Sequence, residues 1–231
     1  MAAKCAAGRA IPEPPADCRL CPRLAAFRRA NRKAHPDWHN APVPSFAPAR
    51  TAGPVRLLIV GLAPGLKGAN RTGRPFTGDY AGEILYPTLL KHGFAAGRYA
   101  ARIDDGFALK SCRITNAVRC VPPENKPTSA EAATCNKFLA AEIAALPDIA
   151  AILALGAIAH GAALQALSLA KSAKRFKHGA IYEIAADGRD FLLADSYHCS
   201  RYNLNTGRLT ASMFDAVVAA VAERLKGARA S

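Results

Sequence analysis

Cys18 and Cys21 form a C-x-x-C pair followed by Pro22, and Cys120 and Cys135 lie far along the chain with fourteen residues between them. Thiolates are soft ligands, so four of them suit a tetrahedral zinc ion or a [4Fe–4S] cluster, and spacing does not choose between the two. A dithiol redox pair is another use of C-x-x-C. Cys18, however, precedes the first strand of the α/β pattern instead of following one, which argues against that use. Four unrelated core cysteines are the remaining alternative. Cys112 opens an apolar run and reads as a small core residue, while Cys5 receives no role. Two further stretches concentrate polar groups. Gly61–Asp79 reads GLAPGLKGANRTGRPFTGD, and Ser196–Thr210 reads SYHCSRYNLNTGRLT. Each is long and glycine-containing in a chain that is 51% hydrophobic. Loops of this length inside compact domains are usually functional.

These side chains need a scaffold, and the apolar pattern supplies one. Val55–Gly61, Cys112–Val118, Ile149–Leu155 and Phe191–Ala194 are short apolar runs of the kind that form buried parallel strands. Helical periodicity separates them over Tyr80–His92, from Ser129 through Leu146 with Glu131 in the first turn, and from Gly156 to Leu167. A last amphipathic helix spans Thr210–Leu225. Strands alternating with helices predict an α/β fold, a three-layer α/β/α sandwich around a four-stranded parallel sheet. Residues 1–54 read as an irregular Pro/Ala/Arg-rich arm with a short helix near Leu24–Arg32, belonging to one domain that spans residues 1–231. Both polar loops leave carboxyl ends of strands, where active sites of such sheets gather.

Lys and Arg outnumber Asp and Glu by 31 to 17, a formal net charge of +14. That balance attracts polyanions, either a nucleic acid or an anionic membrane surface. No stretch approaches the ~20 apolar residues of a membrane helix, and no secretory signal is visible, so a cytoplasmic location with reduced thiols is expected.

The loops and cysteines together resemble the uracil-DNA glycosylase superfamily, specifically its iron–sulfur family 5 (the B-type enzymes). The string Asn70-Arg-Thr-Gly-Arg-Pro-Phe-Thr-Gly-Asp79 resembles part of motif A, and Asn116-Ala-Val-Arg-Cys-Val-Pro-Pro-Glu-Asn-Lys-Pro-Thr128 resembles the middle motif. His198-Cys-Ser-Arg-Tyr-Asn-Leu-Asn-Thr-Gly-Arg-Leu-Thr210 resembles the DNA-inserting loop. The likeness runs from about Cys18 to the final helix. It implies a monofunctional glycosylase that flips uracil and other deaminated bases, such as hypoxanthine, out of DNA and hydrolyses their bond to C1′. It also implies a [4Fe–4S] cluster on Cys18, Cys21, Cys120 and Cys135 that pins the arm to the loop after the second strand.

By the same resemblance Phe76 stacks on the base, Asn116 reads its edge, and Gly61 and Ala63 complete the base-binding wall. Asp79 is the leading catalytic candidate, Asn125 a water- or backbone-positioning partner, and His198 a donor to the base carbonyl. Arg201 and Tyr202 enter the duplex, and Ser200, Arg208, Lys67 and His178 contact DNA. Three positions depart from the wider pattern. Ala63 stands where most of the superfamily carries an acidic or amide side chain, Tyr202 where a less bulky residue is usual, and Cys199 where proline or another small residue is common. Cys199 is not expected to be a nucleophile, so Cys199→Ser should stay active. A monomer is expected, acting on DNA that contains deaminated bases. A non-catalytic iron–sulfur nucleic-acid-binding protein is the alternative, and a redox protein leaves both loops unexplained.

Overall fold

A computed structural model describes residues 11–227. The chain order is α1 (Pro22–Ala34), β1 (Leu57–Gly61), α2 (Ala69–Thr72), α3 (Gly82–Lys91), β2 (Ala95–Ala96), β3 (Ala108–Leu109), β4 (Cys112–Asn116), α4 (Ser129–Ala144), β5 (Ala151–Leu155), α5 (Ala157–Ala166), β6 (Ile181–Ala186), β7 (Arg189–Ser196), α6 (Arg201–Asn205) and α7 (Ala211–Gly227). The main sheet runs β4-β1-β5-β7-β6, and β2 pairs with β3 as a separate two-stranded ribbon. β1, β4, β5 and β7 are parallel, whereas β6 runs antiparallel to β7.

The sheet therefore has five strands and not the expected four. The extra strand comes from a hairpin, because Asp187 and Gly188 both have positive φ (51° and 70°) and close a two-residue turn between β6 and β7. Asp-Gly is the usual composition of such a turn. β6 escaped the apolar-run criterion because its burial alternates, with Ile184 and Ala186 inside and Glu183 and Ala185 outside, as befits an edge strand.

Alternation also builds the two cores. Leu57, Ile59, Ile114 and Leu153 face α3 and α7, with Leu85, Leu89, Phe214, Val218 and Val221 packed against them. Leu58, Val60, Ile152 and Leu193 face α4 and α5, meeting Leu139, Ile143, Ala163 and Leu164. Helices on both faces give the three layers. α4 starts at a capping box, in which the Thr128 hydroxyl accepts from the Glu131 backbone and the Glu131 carboxylate accepts from the Thr128 amide.

The arm covers the β4 edge. Phe46 exchanges backbone hydrogen bonds with Ile114, both 2.9 Å, and the Val43 amide donates to the Arg119 carbonyl at 2.7 Å. Glu13 accepts from Arg119 Nη1 at 2.9 Å and approaches Arg113 Nη2 at 3.3 Å, and buried Glu142 pairs with the same two arginines from the other side. No helix among the described residues is long and apolar enough to cross a membrane.

Candidate active site and cysteine cavity

Parallel strands end where the two polar loops begin, and their ends converge on one pocket of about 240 Å³. Its lining is Ala63, Gly65 and Ala69 from the loop after β1, Phe76, Asp79 and Ala81 further along it, Asn116 at the end of β4, and His198 after β7. Gly61 lies between two of the lining side chains. A Cβ there would sit 2.5 Å from Phe76 Cζ and would also strike Asn116 Oδ1, so the bare backbone lets ring and amide meet. The Phe76 and His198 rings lie 5.8 Å apart at 29°.

Phe76 holds a left-handed backbone (φ 53°), unusual for an aromatic residue, and a dedicated support keeps it there. Buried Arg74 reaches Asp105 with two hydrogen bonds, 3.0 and 2.8 Å, while its Nε donates to Thr77 Oγ1 at 2.7 Å. The guanidinium lies within 5.2–6.0 Å of the ring centres of Phe46, Tyr86, Tyr99 and Phe107. The Tyr86 hydroxyl donates to the Pro75 carbonyl, and the Tyr99 hydroxyl donates to that of Phe76 at 3.3 Å. Burial pushes the Asp105 carboxyl up, but Arg74 and the Ala100 and Phe107 amides outweigh it and hold the group well below the ordinary carboxylate range.

Asp79 packs against the bare backbones of Gly65 and Gly68, and any side chain at 68 would collide with its carboxyl group. Oδ1 accepts from the Ala81 amide at 3.2 Å. Burial raises the Asp79 pKa, partly offset by the Ala81 and Gly82 amides. His198 is pulled down to about 4 by burial, so at neutral pH it is an uncharged imidazole with one N–H to donate. Its carbonyl is held by Asn203 Nδ2 at 2.8 Å.

A second cavity, about 320 Å³ including its mouth, is bordered by Cys18, Cys21, Cys120 and Cys135 together with Leu20, Leu24, Val118 and Phe138. α1 begins directly after Cys21, and α4 presents Cys135. The Arg119 amide points at Cys135 Sγ and Arg28 Nη1 at Cys120 Sγ, both 3.4 Å. Among the described residues, no three His, Cys, Asp or Glu side chains gather so as to hold a single metal ion. Ala63 lines the first pocket and also packs against the Leu24–Val118–Cys120 cluster, so one small residue separates the two sites.

The family model for the uracil DNA glycosylase superfamily matches residues 49–222, which spans the sheet and both polar loops. The chain belongs to that superfamily. It is 45% identical over 216 residues to a type-5 uracil-DNA glycosylase of Thermus thermophilus, covering 91% of this chain and 94% of the relative. A type-5 enzyme of Mycobacterium tuberculosis is 43% identical over 206 residues, 86% and 74% of the two chains. One from Pyrobaculum aerophilum is 38% identical over 198 residues, 84% and 83%.

Around the mouth of this glycosylase-superfamily pocket, Tyr202 projects into solvent with 71% of its surface exposed. Arg201 lies over the Tyr80 ring at 5.2 Å and Arg208 over the Tyr197 ring at 4.6 Å. His178 stacks on the other aromatic neighbour of this loop, Tyr197, at 4.9 Å and accepts from the Tyr197 amide through Nδ1. Behind it, buried His160 contacts Asp195 Oδ1 at 2.8 Å and the Lys174 carbonyl at 2.9 Å. Burial lowers its pKa, but these two acceptors outweigh it, so the net shift is upward. The Ser200 hydroxyl caps α6 by accepting from the Asn203 amide, and Lys67 is exposed. Asn125 is not brought to the pocket: it sits exposed at the end of a 3₁₀ turn, with φ 57°. Cys199 is wholly buried, and burial pushes its thiol up to about 12, so it is no ready nucleophile. Cys5 lies outside the described residues. Sequence reasoning missed Gly65, Ala69 and Ala81 as pocket residues, Gly68 as the position that admits Asp79, and the Arg74–Asp105 support. The glycines were visible as a cluster, whereas nothing local ties position 74 to position 105.

Proposed function

We propose that the chain is a monofunctional DNA glycosylase that hydrolyses the N-glycosidic bond of uracil in DNA and leaves an abasic site. The observation that carries this reading is the single pocket shared by Phe76, Asn116, Asp79 and His198, in a member of this superfamily. A base must leave the stack to reach such a pocket. Phe76 gives it a flat face, and the Asn116 amide both donates and accepts at its edge. As the bond to C1′ breaks, its electron pair moves onto the base, and the neutral His198 N–H meets the charge growing on the neighbouring carbonyl oxygen. The Asp79 carboxylate faces the cationic sugar that results and orients water, whose oxygen bonds to C1′ while its proton passes to that carboxylate. Hypoxanthine also fits this proposal, because Ala63, Gly65, Ala69 and Ala81 keep one side of the pocket free of bulk.

The four cysteines fit a [4Fe–4S] cluster held by Cys18, Cys21, Cys120 and Cys135. Four cysteines border one cavity, with Arg28 and the Arg119 amide aimed at two of the sulfurs, and they supply the ligand number and type a cluster takes. When bound, the group supplies a rigid cross-link between the arm, the loop after β4 and α4. The surrounding side chains exclude water through Leu24, Val118 and Phe138.

Oligonucleotides with one uracil or one hypoxanthine, treated with purified protein and then heat and alkali, test the reading. Cleavage at uracil that depends on Asp79 is expected. Tight binding without an abasic product would instead favour a non-catalytic nucleic-acid-binding protein on this scaffold.

A further inference from the structure

Four arginines are buried among the described residues: Arg28, Arg74, Arg113 and Arg119. Arg74 has Asp105, while Arg113 and Arg119 share Glu13 and Glu142. Arg28, on the inner face of α1 and 2% exposed, makes no salt bridge with any described carboxylate side chain, and Asp17, near enough to feel its charge, is exposed and already paired with Arg32. The segments outside the described range contain no Asp or Glu side chain to supply one. Its Nη2 donates to the Cys18 carbonyl at 2.8 Å, its Nη1 faces Cys120 Sγ at 3.4 Å, and its Nε has no partner.

A guanidinium stays charged at any ordinary pH, and a buried charge without an opposite charge is strongly destabilising. A neutral thiol does not answer it. A thiolate does, and so does a set of four thiolates around a metal centre, whose net charge remains negative. We propose that Arg28 is the counter-charge of the four-cysteine site. It holds the Cys120 ligand in place and, through its fixed positive charge, favours the more negative, reduced state of the centre. This rests on the iron–sulfur reading above. Electrostatics near the sulfurs is one of the levers by which a protein sets a cluster's potential.

The test compares Arg28→Lys, which keeps the charge, with Arg28→Gln, which keeps a donor for the Cys18 carbonyl but removes the charge. Full-length proteins are assayed for iron and sulfide per chain during dialysis against a chelator, and for midpoint potential by stepwise titration with a chemical reductant. Arg28→Gln should lose iron several-fold faster than the unsubstituted protein and titrate at a more negative potential, with Arg28→Lys close to the unsubstituted protein in both. If the two variants behave alike, whether both unchanged or both equally impaired, charge is not what Arg28 supplies and the proposal falls. If the unsubstituted protein carries zinc and no sulfide, the iron–sulfur reading fails separately. The role of Arg28 is then judged by zinc retention in the same pair of variants.

Discussion

The two polar loops at the carboxyl end of the sheet are built in opposite ways. Gly61–Asp79 is fixed from beneath: a buried ion pair, four aromatic rings and two tyrosine hydroxyls hold Arg74, Pro75 and Phe76, and Gly68 admits Asp79. Past its first residues, which bring His198 to the pocket and bury Cys199, the second loop enters a five-residue helix capped by Ser200 and leaves Tyr202 and Arg201 on the surface. Groups that act on charge developing in a transition state gain from being placed in advance. A residue that enters a duplex must first be accessible. The contrast separates residues expected to change the rate of bond cleavage from those expected to change how a base is delivered.

The sharpest test of that separation lies at Asp79. Asp79→Ala should lower single-turnover excision by about 10²–10⁴-fold. In the unsubstituted protein the rate should fall with acid as Asp79 gains its proton, at higher pH than for an ordinary carboxylate, because burial raises its pKa. A pH–rate profile whose acid limb matches an exposed aspartate would contradict this. His198→Ala comes next, with a loss of about 10²–10³-fold. Its own titration near 4 should leave the rate flat between neutrality and the Asp79 limb, which the same profile reads. Arg74→Lys keeps the charge but loses the two-pronged contact to Asp105, so a stability loss of about 1–3 kcal/mol is expected by denaturant melts. That contribution is present above the ordinary Asp pKa and is lost as pH falls through the depressed pKa of Asp105. Excision should slow with it, chiefly in kcat. Tyr202→Ala should have the smallest effect, about tenfold or less, seen on duplex DNA and absent on single strands. Equal losses on both substrates would erase the distinction between the loops.

The sequence carried the parallel strands and most helices in its apolar periods, and the start of α4 to within one residue of its Thr128 cap, because those signals are local. It also carried the polar loops, whose composition stands apart from the rest of the chain. What it did not carry depends on distance or on backbone angle. The positive φ of Phe76 has no compositional mark, unlike the Asp187–Gly188 turn, whose Asp-Gly pair is a hairpin signal although the strand it leads from lacks a continuous apolar run. Arg74 and Asp105 are joined only by folding, and so are Arg28 and Cys120. The exposed placement of Asn125 follows from a 3₁₀ turn with two successive left-handed residues, Glu124 and Asn125, which a run of Pro and Glu does not announce.

Glu13 also bears on the order of assembly. It meets Arg113 and Arg119 across 100 and 106 residues, and Cys18 and Cys21 reach Cys120 across a similar span. A nascent chain exposes the arm long before its partners exist, so the arm must wait, unpaired, until β4 and the start of α4 have been made. Contacts this remote close slowly. Docking of the first-made segment must therefore wait for β4 and α4, and on the iron–sulfur reading proposed above that interval leaves the arm's thiols open to cluster insertion.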